Sequence, residues 1–134
     1  MVSAPSVVLL VDVANVMGSR PDGWWRDRAG AATRLMAELP RAGAEVRSPD
    51  DVPLRVDRVL AVVEGRAREA QGPDGVEVVR ATADGDSAIA ALAADLVADG
   101  ELVLVVTADR GLRASLPATA LVAGPRWLLD DPTG

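Results

Sequence analysis

Apolar runs rich in Val and Leu recur along this chain at residues 7–11, 59–63, 76–79, 102–106 and 120–122. A half-buried strand alternates apolar and polar positions. A short continuous apolar run instead suits a strand covered on both faces, as in a parallel sheet packed between helices. Between these runs the period changes. In residues 26–39, Ala32, Leu35, Met36 and Leu39 line one helical face, and Pro40 with Gly43 closes the segment. In residues 87–98, Ile89, Leu92, Leu96 and Val97 repeat at helical spacing until Asp99 and Gly100 stop the run. A shorter helix is expected to start at Asp109 and end before Pro117.

Two segments lack a clear period. Residues 41–57 contain Pro49, Pro53 and several carboxylates and read as a loop or a short irregular helix. Residues 64–75 are rich in Arg and Glu, end in QGPDG, and read as a polar crossover with a helical turn or two. The resulting order, β-α-β-(α)-β-α-β-α-β, predicts a three-layer α/β/α fold around a mainly parallel sheet of about five strands.

A chain of 134 residues is long enough for one proper core, and no repeat or linker divides it. A single domain over residues 1–134 is expected. Its apolar fraction of 49% and charged fraction of 25% are those of a soluble globular protein. No basic region precedes the first apolar run, and Asp12 interrupts that run early, so it reads as a strand and not as a signal peptide. No segment approaches the length of a membrane span. The expectation is a cytoplasmic protein without membrane contact.

The missing residue types narrow the chemistry. With no cysteine there is no disulfide, thiolate zinc site or Cys nucleophile; with no histidine there is no imidazole base or ligand. All 14 basic residues are Arg, which excludes a P-loop Lys or a Schiff base. Any metal must be held by oxygen, which favours magnesium or manganese over zinc or copper. The net charge of −6 argues against indiscriminate nucleic-acid binding.

Asp12 ends the first apolar run, and a carboxylate at the tip of a buried strand is costly unless paired, hydrogen-bonded or metal-bound. Asp109 follows the run at 102–106, and Asp86 precedes the helix feeding that strand. In open α/β sheets ligands bind beyond the carboxyl ends of the strands, so Asp12, Asp86 and Asp109 are expected at one edge. Their mutual repulsion would be relieved by a divalent cation, which can also activate water and stabilise charge on a phosphate. A duller role stands beside this one, because Asp84, Asp86 and Asp109 all precede helices, where Asp is a favoured N-cap. Asn15, three residues after Asp12, is expected in a turn, placed to orient substrate or a metal-bound water. Arg20, Arg26 and Arg28 flank Trp24 and Trp25, a mixture suited to phosphate contact and base stacking. The alternative is that both Trp side chains merely pack the first helix on the sheet. Arg110 and Arg113 belong either to substrate binding or to a solvated helix face.

Three motifs carry a family resemblance: the D-x-x-N of Asp12 to Asn15, the GDSAI of residues 85–89, and the VVTADRGLR of residues 105–113. In this order, over most of the chain, they resemble an NYN domain of the PIN-like nuclease superfamily. The resemblance implies magnesium or manganese at the matched acidic positions and hydrolysis of RNA phosphodiester bonds. It implicates Asp12, Asn15, Asp86 and Asp109 in catalysis, with Thr107 or Ser87 assisting. It also implies RNA as partner, and a homodimer through exposed strand edges. One departure is Ser87, where the family often has a second acidic residue; Asp84 or Glu64 could compensate.

Two other functions share these residues. A metal-dependent nucleotide phosphohydrolase would need the same carboxylates in a closed pocket. Its haloacid-dehalogenase version would need a D-x-D, yet Ala14 holds the second position and no Lys is present. A non-catalytic RNA- or protein-binding module on the same scaffold is the third.

Overall fold

The computed structural model describes residues 4–133. Its sheet has six strands: β1 (Ser6–Asp12), β2 (Glu45–Arg47), β3 (Pro53–Val63), β4 (Glu77–Arg80), β5 (Val103–Val106) and β6 (Leu121–Ala123). The order is β2-β3-β1-β5-β6, with β4 also on β3. Every pairing is parallel except β2 with β3. Strands β2 and β4 share one edge of β3: β2 pairs with Pro53 to Arg55, β4 with Leu60 to Val63.

The unbroken apolar runs follow from this arrangement. Along β1, Val7, Leu9 and Val11 enter one core while Val8 and Leu10 enter the other. Successive side chains of a strand point to opposite faces, so a strand with helices on both sides has no polar position to spare. The first core is closed by α1 (Val13–Gly18), α2 (Arg28–Ala37) and α5 (Pro125–Leu129), through Val16, Leu35, Met36 and Leu128. The second is closed by α3 (Gly85–Ala98) and α4 (Arg110–Ala114), through Ile89, Ala93, Leu96 and Leu112. These are the three layers expected.

Four elements depart from the expectation. Residues 13–18 form α1, where a turn was expected, because Val13, Val16 and Met17 are buried against the sheet. A helix this short shows no readable period and is held by tertiary packing, not propensity. Helix α5, opened by Pro125 at its start, is equally short. Within residues 41–57, read as loop or irregular helix, lie β2 and the first half of β3. There Leu54 and Val56 are buried while Arg55, Asp57 and Arg58 are exposed, so charges mask a strand whose outer half faces water. Residues 65–69 form a 3-10 turn in the polar crossover, as expected. No helix among the described residues is long and apolar enough to cross a membrane.

Candidate active site

The chain leaves β1 for β3 on one side of the sheet and reaches β5 on the other. The crevice where strand order reverses, at the carboxyl ends of β1 and β5, is the usual ligand position of such sheets. Asp12 ends β1 there, only 5% exposed. Its Oδ1 accepts from the Asn15 backbone N–H at 3.3 Å, capping α1, and its Oδ2 accepts from the Thr107 hydroxyl at 2.9 Å. Burial pushes the Asp12 carboxyl above the ordinary value; the Thr107 and Asn15 hydrogen bonds oppose this, and the charges of Asp86 and Glu64 reinforce it.

Thr107 is fully buried just past β5. While donating to Asp12, its Oγ1 accepts from the Asp109 N–H at 3.1 Å. One hydroxyl thus ties the ends of the two central strands together. Thr107, implied by the resemblance to assist at the site or contact substrate, is buried, with its donor spent on Asp12 and one acceptor position on the Asp109 N–H. Asn15 makes a second link: its Oδ1 accepts from the Ala108 N–H at 2.8 Å. Asn15 therefore sits on a helix and latches the β5–α4 connection.

Asp109 caps α4 by accepting from the Leu112 N–H at 2.9 Å. In α3 the capping duty falls to Asp84, which accepts from the Ser87 N–H at 2.7 Å and from the Ser87 hydroxyl at 3.1 Å. Asp86, in the first turn of α3, is released from that task and exposed. Partial desolvation, then the charges of Asp109, Glu64 and Asp84 and a hydrogen bond with Asp109, hold the Asp86 carboxyl above its ordinary value. A carboxyl repelled by three others is one where a cation would be welcome.

Glu64, at the end of β3, was a marginal candidate in the sequence. Its Oε2 accepts from the Gly85 N–H, and a Cβ at Gly85 would come within 2.8 Å of that oxygen. A glycine before Asp86 is what lets the β3 carboxylate approach the start of α3. The acidic edge thus has four members, Asp12, Glu64, Asp86 and Asp109. No group of three Asp or Glu among the described residues is arranged to hold a metal ion. The three carboxylates expected to bind it lie close enough for their charges to raise the Asp12 and Asp86 carboxyls, and Asp12 is committed to hydrogen bonds with Thr107 and Asn15.

The arginines divide. Arg20 pairs with Glu38 at 2.6 Å and lines a cavity with Leu39 and Leu128, so it leaves the expected rim. Arg28 stacks on Trp24 at 5.3 Å, and Arg26 on Trp25 at 5.9 Å. Trp24 packs against the first core whereas Trp25 is 55% exposed, so only one of the pair is structural. Arg110 is exposed at the start of α4. Arg113 donates twice to the Thr107 carbonyl, at 2.9 and 2.6 Å, and braces the same loop. Arg66 and Arg68, in the 3-10 turn after β3, join Arg26 and Arg28 around one cavity. Local sequence did not single them out, since only the fold brings residues 26–28 and 66–68 together.

No protein-family model matches the chain, and no curated protein matches it in sequence. Among solved structures it is similar to a mutant of Rae1 (YacP) from Bacillus subtilis, with 22% identity and a TM-score of 0.64. The alignment covers 92% of this chain and 73% of that one. The fold of this chain, three-layer α/β/α, is therefore similar to that of the Rae1 (YacP) structure.

Proposed function

We propose that the chain is a metal-dependent ribonuclease that hydrolyses RNA phosphodiester bonds. The observation that carries this reading is the gathering of Asp12, Glu64, Asp86 and Asp109 at the strand-end crevice, with Asp12 and Asp86 raised above the ordinary carboxylate value. Similarity of fold to Rae1 (YacP) and the three sequence motifs support the same reading.

The donors are all oxygen, which suits magnesium or manganese. Such hard cations keep several waters and need only one or two protein carboxylates beside substrate phosphate oxygens. Asp86 and Asp109 are the pair we assign to the cation, with Glu64 beside them and Asp12 behind. A bound cation would supply charge neutralisation at the phosphate and a more acidic water. Asp12 holds Thr107 and the first turn of α1. Thr107 in turn fixes the Asp109 backbone, so the buried trio sets where the exposed carboxylates stand. Arg26 and Arg28 supply positive charge beside the acidic edge.

Cleavage of a labelled RNA pool with manganese, measured alongside phosphate release from free nucleotides, tests the reading. RNA cleavage without nucleotide turnover is the expected result. Nucleotide turnover selects a phosphohydrolase, and neither activity selects a binding module. Reversing Arg26 and Arg28 to Glu is expected to weaken RNA binding and flatten its dependence on salt. Each lost phosphate contact reduces the log–log slope by about 0.7 on a single strand. An unchanged slope removes the two from the interface.

A further inference from the structure

Six of the fourteen arginines are engaged by other groups of the chain. Arg20, Arg47 and Arg58 form ion pairs, and Arg41, Arg80 and Arg113 donate to backbone carbonyls. Among the remaining eight, all exposed and none in an ion pair among the described residues, Arg26, Arg28, Arg66 and Arg68 stand apart because they come together in one place. They line one open cavity of about 420 Å³ together with Trp25. Asp27 and Glu69 also border it, but the Asp27 carboxylate caps α2 through the Gly30 N–H at 2.9 Å. In a chain of net charge −6, four guanidinium groups outside any ion pair, two of them over Trp24 and Trp25, outnumber the carboxylates of Asp27 and Glu69 there and form a locally anion-attracting surface.

Trp25 gives the surface a second property. A large aromatic ring left 55% exposed forfeits hydrophobic stabilisation. Trp24 braces it edge-on, with ring centroids 5.8 Å apart and planes at 87°, and Trp24 is itself packed on the core. The exposed ring is therefore held in place. A second cavity of about 440 Å³ shares Arg28 and Gly65 with the first and reaches Glu64 and Asp84. Together the two make a trough from Trp25 to the acidic edge.

We propose that this trough is a subsite for a nucleotide flanking the reacting phosphate, with its base stacked on Trp25 and its backbone held by Arg66 and Arg68 opposite Arg26 and Arg28. The inference rests on the ribonuclease reading and adds the residues that select substrate. The occupant must present an unpaired base, because a base within a duplex cannot lay its face on Trp25. It must also be long enough to reach from the acidic edge to the ring.

The test is RNA binding by the intact chain, without divalent cation, measured by anisotropy of labelled oligoribonucleotides. Strands of about four and about twelve nucleotides span the range of single-strand sites, and a blunt duplex of the longer length serves as the paired form. Trp25→Ala is expected to weaken binding of the longer strand by about tenfold, within the range for one stacked base, and Trp25→Phe to restore most of it. Arg66→Glu with Arg68→Glu is expected to reduce the salt slope by about 1.4, two contacts' worth. The short strand and the duplex should respond little to Trp25→Ala. Equal losses on strand and duplex, or none, overturn the subsite. So does displacement of the RNA by polyglutamate at equal charge, which would make the patch a general anion surface. Because no cleavage is needed, a protein that binds in this way yet never cuts RNA retains the subsite while the ribonuclease reading falls.

Discussion

Asp86→Asn should sharply reduce RNA cleavage and at the same time raise the melting temperature of the metal-free protein. Asp86 is exposed in the first turn of α3 but does not cap it; Asp84 does. Helix capping therefore gives Asp86 no reason to be acidic, and its own surroundings oppose its charge, with Asp109, Glu64 and Asp84 all raising its pKa. Removing that charge relieves repulsion worth a fraction of a kcal/mol at an exposed site, or about 1–3 °C for a chain of this length. Cleavage should fall by about a hundredfold or more, since even losing a group behind a metal ligand costs roughly ten- to a hundredfold.

The pH dependence carries the same sign. Asp12 and Asp86 both titrate above their unfolded value of 3.8, so the folded state binds these protons more tightly than the unfolded one. Their contribution to stability is complete below the unfolded value and is lost as pH rises through the raised folded values. Glu77 and Asp84, lowered by hydrogen bonds to Arg58 and Ser87, act in the opposite direction from exposed positions. Between mildly acidic and neutral pH the metal-free wild type should lose stability more steeply than Asp86→Asn. Manganese at a hundredfold excess over its dissociation constant should stabilise the wild type by about 2.7 kcal/mol, roughly 10 °C, and the variant by much less. Thermal melts across pH, with and without manganese, decide the matter. A wild type that melts at one temperature regardless of manganese sinks the metal reading.

Thr107→Val is the largest stability effect expected within the site. The valine keeps the volume of a fully buried side chain but removes the donor to Asp12 Oδ2 and the acceptor for the Asp109 N–H. A carboxylate oxygen and an N–H then lose their partners in or near the core. Leaving a buried polar group unsatisfied costs about 1–3 kcal/mol, or roughly 4–12 °C for a chain of this length. The Asp12 carboxyl should rise further, because the Thr107 hydrogen bond is what most opposes its burial. Activity should fall through misplacement of Asp109. Thr107→Ser, which retains the hydroxyl, should recover most of both losses. A Val variant as stable as wild type would mean that the link between β1 and β5 carries no weight.

Much of the architecture was legible because it depends on local periodicity. Strands β1 and β5 declare themselves as unbroken apolar runs since both of their faces are buried. Helices α2 and α3 declare themselves by their apolar faces and stop signals. Asp12 and Asp109 are legible as edge residues because each ends or follows such a run. Periodicity fails where an element is short or half exposed. Helices α1 and α5 have only a turn or so each, and the first half of β3 alternates charges with Leu54 and Val56.

The sequence by itself determined the layered fold, the restriction of any metal ligand to oxygen by the absence of His and Cys, and the placement of acidic residues near strand ends. Only the tertiary structure decided what each of them does there. The Thr107 hydroxyl bonds a carboxylate 95 positions away, Glu64 meets Gly85 across the start of α3, and Arg66 and Arg68 face Arg26 and Arg28. Arg20, adjacent in sequence to that group, is drawn off by Glu38. Such pairings depend on strand order and register, which are fixed by packing between distant segments and leave no mark on the spacing of neighbouring residues.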